Sequence, residues 1–198
     1  MGAEKIIDLY ERHAGAFDRD RNKSLIERPC LARFLEHVLP GGTILDIGCG
    51  TGEPIARYLT ERDFSVTGVD SSPSMIQMCR DRFPDHEWIV GDIRTLAIGR
   101  RFDGVLAWDS FFHLSPDAQR VMFPRFAAHA APGAALMFNA GHSEGEAIGS
   151  YQGEPLYHAS LDPEEYQRLL AANGLEVLDY KEEDPDCGGR WIWLARRV

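Results

Sequence analysis

Apolar residues along the chain follow two periods that replace each other in turn. Ile6, Leu9, Tyr10, His13 and Phe17 recur at helical spacing, "DRDRN" interrupts them, and Leu31, Phe34, Leu35 and Val38 resume. "PGG" at 40–42 stops that helical stretch. "TILDI" at 43–47 predicts a buried strand, followed by a helix over 54–62. "FSVTGVD" at 64–70 predicts strand 2, "HEWIV" at 86–90 strand 3, "FDGVLAW" at 102–108 strand 4 and "AALMFNA" at 134–140 strand 5. Helices between them announce their starts by an N-cap residue followed by proline: Ser72-Pro73, Ser115-Pro116 and Asp162-Pro163. Pro124 lies inside the second of these, where a kink or a break is expected. "LEVLDYKEE" and "RWIWLARR" predict two closing strands joined by a turn at "DPDCGG".

Strands alternating with helices predict an α/β chain built on a mostly parallel sheet with helices on both faces. The last two strands are joined by a turn too short for a crossover, so they pair antiparallel. Trp88, Trp191 and Trp193 are expected in the sheet core. Residues 141–160 lack clear periodicity and predict a long loop, a kind that is usually functional. The chain is expected to be one domain, 1–198, with residues 1–39 as a helical cap.

Charge narrows the partners. The chain has 198 residues and a net charge of −10, from 21 basic and 31 acidic residues. An acidic chain with no basic run argues against nucleic acid. No apolar run approaches a membrane span, and the charged start "MGAEKIIDLYERHAG" does not resemble a secretion signal, so a cytoplasmic protein is expected. Cys30, Cys49, Cys79 and Cys187 are far apart, with no CxxC, and are expected to be reduced and independent. No metal site is expected, since the paired ligand spacing of zinc is absent. His13, His37, His86 and His129 are expected on the surface or on helix faces.

Chemistry concentrates in "TILDIGCGTGEP", residues 43–54. Gly48, Gly50 and Gly52 follow a strand and precede a helix, so the turn between them suits unusual dihedrals or close approach by a ligand. Such a turn at the carboxyl end of a strand is where open α/β sheets bind nucleotides. Asp70 ends strand 2, 22 residues after Gly48, where an acid accepts hydrogen bonds from a ribose diol. Glu53 occupies the place of the third glycine of a dinucleotide turn, and its charge disfavours a pyrophosphate. No Lys-Ser or Lys-Thr follows, so a phosphate-cradling P-loop is excluded. A nucleoside without phosphates is the ligand that remains.

"LDIGCGTG" together with Asp70 and "GDI" at 91–93 resembles the class I, seven-stranded Rossmann-like methyltransferases that use S-adenosyl-L-methionine. "SFFHL" at 110–114, "PLYHAS" at 155–160 and "WIWLARR" at 191–197 resemble a bacterial, small-molecule-type subgroup, in which Trp usually stands where this chain has His158. The resemblance implies a doubly wound sheet of seven strands, the last antiparallel. It implies that Asp46, Gly48 and Gly50 hold the methionine end, Asp70 the ribose, and Asp92 and Ile93 the adenine, with Ser71 and Met75 beside it. Trp108 would lie near the methionine, and Tyr10, Phe17 and Arg21 match a helical cap over the cofactor. The implied reaction is in-line methyl transfer to a small molecule, leaving S-adenosyl-L-homocysteine. Phe112, His113, His142, Tyr157 and His158 are the candidate acceptor-side residues, and His113 is the candidate base. A monomer or homodimer is expected. Two alternatives stay open: a binder of the same cofactor that has lost catalysis, and a nicotinamide oxidoreductase.

Overall fold

A computed structural model describes residues 2–198. Three short helices open the chain: α1 (Ile6–Arg12), α2 (Ala14–Asp20) and α3 (Arg28–Leu35). Then follow β1 (Thr43–Ile47), α4 (Ile55–Thr60), β2 (Ser65–Asp70), α5 (Pro73–Arg82), β3 (Glu87–Val90) and β4 (Phe102–Ala107). The second half holds α6 (Pro116–His129), β5 (Ala130–Ala140), β6 (Gly145–Tyr151), β7 (Glu154–Ser160), α7 (Pro163–Ala172), β8 (Leu175–Asp184) and β9 (Arg190–Arg197). All three serine- or aspartate-led starts are real caps. Ser72 Oγ accepts the Met75 N–H at 3.1 Å, Ser115 Oγ the Ala118 N–H at 3.3 Å, and Asp162 the Glu164 N–H at 2.8 Å.

Seven strands form one sheet in the order β3-β2-β1-β4-β5-β9-β8. β1 to β5 are parallel, and β9 runs antiparallel between β5 and β8. Period-2 alternation sorts the side chains into two cores. Leu45, Ile47, Phe138 and Trp193 join Phe111, Phe123 and Tyr166 on the α6–α7 face. Ile44, Leu106, Met137 and Leu194 join Phe34, Leu59 and Trp88 on the face carrying α3, α4 and α5. Since β1 to β4 are parallel, their carboxyl ends share one edge, where the turn after β1, Asp70, and the segments after β3 and β4 all emerge.

Five expectations are corrected. Residues 141–160 are not a structureless loop: β6 and β7 form a separate antiparallel hairpin. Its two-residue turn, Gln152-Gly153, has positive φ at both positions (51° and 78°), the pattern of a type I′ turn. α6 runs through Pro124 without a break, because Met122, Phe123 and Phe126 around it are fully buried. The thiols are not all independent, since Cys30 on α3 and Cys187 in the β8–β9 turn form a disulfide, and Cys49 and Cys79 are free. His129 is buried, donating from Nδ1 to Arg125 O and accepting the Ile98 N–H on Nε2. Trp88 and Trp193 are in the core as expected, whereas Trp191 is half-buried at the sheet's end. No described helix is long and apolar enough to cross a membrane.

Candidate active site

The glycine turn is fixed by its neighbours. Gly48 has φ 77°, and a Cβ there would collide with Ser110, whose Oγ donates to Ile47 O at 2.7 Å. Gly50 has φ 56°, and Phe17 of α2 packs directly over it. The Gly50 N–H donates to one oxygen of Asp70 and the Ser72 N–H to the other, both at 2.9 Å. Each Asp70 oxygen therefore keeps acceptor capacity for a hydroxyl. After β3, the Asp92 carboxylate is held by Arg94, and Ile93 begins a short 3₁₀ turn.

These groups wall one cleft. Tyr10, Gly48, Gly50, Asp70, Ser71, Met75, Asp92, Ile93 and His113 all line it, so most of the sequence-derived set converges. Ile6, Ile7, Tyr10 and Phe17 of the N-terminal helices close its outer side. About 810 Å³ of empty space, mouth included, suits a small molecule.

Three cofactor-side candidates lie outside the cleft lining, as do Phe112, His142, Tyr157 and His158 on the acceptor side. Asp46 is 3% exposed, on the α3 side of β1, and burial together with the Asp70 charge lifts its pKa to about 7. Arg21 donates to Glu27 at 2.7 Å and to Asp109 at 3.1 Å. Trp108 is buried in the core beneath the Arg190 guanidinium, 5.5 Å from its ring centre.

His113 is the best-defined side chain on the acceptor side. A carbonyl can only accept, so His113 Nδ1–H donates to Tyr157 O at 2.8 Å. Its Nε2 then accepts the Tyr10 hydroxyl at 2.9 Å. Burial depresses its pKa to about 4, so the ring is neutral at physiological pH, while burial and the Asp109 charge push the Tyr10 phenol up. Phe112 and His158 pack near His113, with His158 ring centres 5.3 and 4.9 Å from theirs. Tyr157 contributes its backbone carbonyl, and its ring is buried. His142 is exposed and lies against Trp191, away from this group.

Several residues that organise the site escaped sequence reasoning. Asp109, at φ 49°, accepts from Asn139 Nδ2 and from Arg190 Nε on one oxygen, and from Arg190 Nη2 and Arg21 on the other. Its acceptor sites are filled, and Arg190 and Arg21 hold its pKa down. Glu11 of α1 accepts from Ser72 Oγ, Ser74 N–H and Ser74 Oγ, covering the start of α5. Asp18 of α2 takes a two-pronged pair from Arg82, and Glu154 of β7 takes Arg12 at the end of α1 and His13 just after it. Acids in the last turns of short helices, and at the i+3 position of a hairpin turn, carried no signal of these distant partners.

Residues 44–133 match a family model described as a methyltransferase domain. A dTDP-3-amino-3,6-dideoxy-alpha-D-glucopyranose N,N-dimethyltransferase from Streptomyces fradiae is 32% identical over 130 residues, covering 65% of this chain and 50% of its own length. A magnesium-protoporphyrin O-methyltransferase from Rhodobacter capsulatus is 38% identical over 90 residues, 42% of this chain and 39% of its own length. The chain spans half or less of the length of these two curated relatives. Among solved structures, the fold is shared with a 1,6-didemethyltoxoflavin-N1-methyltransferase from Burkholderia thailandensis, holding 1,6-didemethyltoxoflavin and S-adenosylhomocysteine. That pair has a TM-score of 0.76, 21% identity, and coverage of 99% and 88% of the two chains. A SAM-bound amino pentose methyltransferase from Micromonospora echinaspora gives a TM-score of 0.75 at 22% identity, covering 94% and 96%.

Proposed function

We propose, on the premise that residues 44–133 form a methyltransferase domain of the class I, Rossmann-like kind, that the chain transfers a methyl group from S-adenosyl-L-methionine to a small molecule. One observation carries the reading: Asp70 and Asp92 stand at the ends of successive strands in a single cleft with the Gly48–Gly50 turn, facing the Tyr10–His113 pair. The residues fit the cofactor. The two Asp70 oxygens have capacity left for the ribose hydroxyls, the Gly50 backbone admits close approach, and Asp46 is a buried carboxylate without a hydrogen-bonded cation. Asp92 and Ile93 would hold the adenine, with Ser71 and Met75 beside it.

When bound, the cofactor supplies a methyl group already activated on a sulfonium. The protein's part is alignment, which is worth about 7–11 kcal/mol of barrier in favourable cases. Tyr10 keeps lone pairs on its oxygen while its proton is held by His113, so it can accept a hydrogen bond from the acceptor's N–H or O–H. A ring with a pKa near 4 is a weak base, so His113 orients Tyr10 rather than drawing off a proton itself. The residues 1–39 cap and the β6–β7 hairpin would roof the acceptor, with Phe112 and His158 behind His113. His142 stays outside this grouping. Cytoplasmic location and a monomeric or homodimeric state belong to the same proposal.

The test combines binding and turnover. Calorimetry should show S-adenosylmethionine and S-adenosylhomocysteine binding and nicotinamide cofactors not binding. Tritium from labelled cofactor should then appear in one component of a small-metabolite extract. Tighter binding of a nicotinamide cofactor overturns the reading. Binding without transfer to any extract moves the chain to a non-catalytic cofactor binder.

A further inference from the structure

A second concavity lies toward the opposite edge of the sheet from the cofactor cleft. Arg100 and Arg101 immediately precede β4, His129 immediately precedes β5, and α6 supplies Val121, Pro124 and Arg125. The groove holds about 1030 Å³ of empty space, mouth included, and its lining carries no acid.

That lining mixes apolar surface with unpaired cations. Leu96, Val121 and Pro124 are apolar, and Val121 is 48% exposed, so apolar surface is left uncovered. Arg100 is engaged by Glu87. Arg101 is exposed and has no acid partner among the described residues. Arg125 has none either: its Nη1 donates to Leu96 O at 3.1 Å, and its buried Nε has no partner. Two guanidiniums without a counterion thus share one groove, in a chain of net charge −10 whose arginines elsewhere mostly pair with acids. A planar guanidinium fork matches a carboxylate. The surrounding acids disfavour a polyanion, and a cation or an uncharged sugar leaves the guanidiniums uncompensated. One carboxylate on an apolar body fits both halves of the lining.

One segment of chain joins this groove to the cleft. Ile93 and Arg94 line the cleft, and Leu96 and Ala97 line the groove. α6 braces the segment twice: Arg125 holds Leu96 O, and His129 Nε2 accepts the Ile98 N–H at 3.1 Å. Arg94 chiefly, and Arg125 more weakly, hold the Asp92 carboxyl below its usual range, so the Arg125 charge is felt in the cleft.

We propose that the groove is an effector site for a carboxylate on an apolar body, of the fatty-acid kind, whose binding draws Arg125 from Leu96 O and loosens the segment that lines the cleft. The site stands independently of the methyl-transfer reading, whereas its coupling to the cofactor rests on that reading. Linkage makes the coupling mutual, so cofactor and carboxylate weaken each other by the same factor.

Calorimetry with octanoate tests the site, with octanol and inorganic phosphate as probes that each lack half of the chemistry. Wild type should bind one octanoate per chain, and octanol and phosphate at least about tenfold more weakly. Arg101→Ala should lose about tenfold. Val121→Asp, which sets an acid in the groove at an exposed position, should abolish binding, and both variants should keep the wild-type melting temperature. Saturating octanoate should weaken S-adenosylhomocysteine binding about fivefold in wild type and leave it unchanged in Val121→Asp. No uptake of octanoate by wild type, or equal uptake by both variants, overturns the site. Octanol or phosphate binding as tightly as octanoate overturns the ligand class. Unchanged S-adenosylhomocysteine affinity beside bound octanoate overturns the coupling. Octanoate binding by a chain that takes up no S-adenosylhomocysteine overturns the cofactor reading and leaves the groove assigned.

Discussion

Asp46 and His113 are both buried beside the cleft, and burial moves them in opposite senses. The folded pKa of Asp46, about 7, is above its ordinary 3.8, so the fold holds that proton and is weakened as pH rises from about 4 to 7. His113 falls from 6.5 to about 4, so the fold excludes its proton and is weakened as pH falls across that window, by roughly 3 kcal/mol in full. The two slopes oppose each other between pH 4 and 6.5. Asp46→Asn should remove one of them, and the melting temperature should then drop more steeply on acidification than in wild type. A cationic ligand near Asp46 drives its proton off. Cofactor binding at pH 6.5 should therefore release protons, seen as a buffer-dependent calorimetric enthalpy that Asp46→Asn abolishes. For His113 the expectation concerns rate: with its pKa near 4, the pH–rate profile should lack an ionisation at 6.5, and a limb there that His113→Gln removes would show a protonatable His113. Asp70 and Asp92 were legible in the sequence because they end strands on the edge where the glycine turn emerges. Asp109 and Arg190 were not, because their bond joins residues 81 apart and Arg190 follows a turn with no local pattern.

Among elements, the parallel strands were legible from short apolar runs bounded by turn signals, and α5, α6 and α7 from Ser-Pro and Asp-Pro starts. The hairpin was not, for a physical reason: β6 is exposed on both faces from Gly145 to Ser150, so it has no in–out alternation to read. Its turn is Gln-Gly rather than the Asn-Gly that type I′ geometry prefers. The turn gives a prediction at this scale. Gln152→Asn should raise local hydrogen-exchange protection of β6–β7, and Gly153→Val should cost about 1 kcal/mol or more there, because φ 78° suits glycine. If Glu154 anchors the hairpin to α1 through Arg12 and His13, the Gly153 variant should also lose acceptor affinity before cofactor affinity. Proline misled in the other direction. Pro124 removes one helical hydrogen bond, but Phe123 and Phe126 are locked in an aromatic cluster with Phe111, Phe138 and Tyr166, and that packing keeps α6 continuous.

At the scale of the whole molecule, the N-terminal helices are tied down from several sides. The Cys30–Cys187 disulfide spans 157 residues of sequence, and closing so long a loop stabilises by at most about 5 kcal/mol. No sequence pattern could have matched two cysteines so far apart. A reductant should lower the melting temperature of wild type and leave Cys30→Ser unaffected. The remaining ties are mainly ionic: Asp18 with Arg82, Glu154 with Arg12 and His13, Arg21 with Asp109, and Glu11 at the start of α5. They ring the cleft that Tyr10 and Phe17 cover. A spent cofactor beneath those rings leaves only after enough of these pairs let go together, so opening, rather than bond-making, would set the pace of repeated cycles. Ions in solution weaken the most exposed of these pairs, Arg12 with Glu154, more than the half-buried ones. Moderate salt should then quicken steady-state turnover while the first, single turnover in a preloaded enzyme keeps its rate, giving a burst that shrinks as ionic strength climbs.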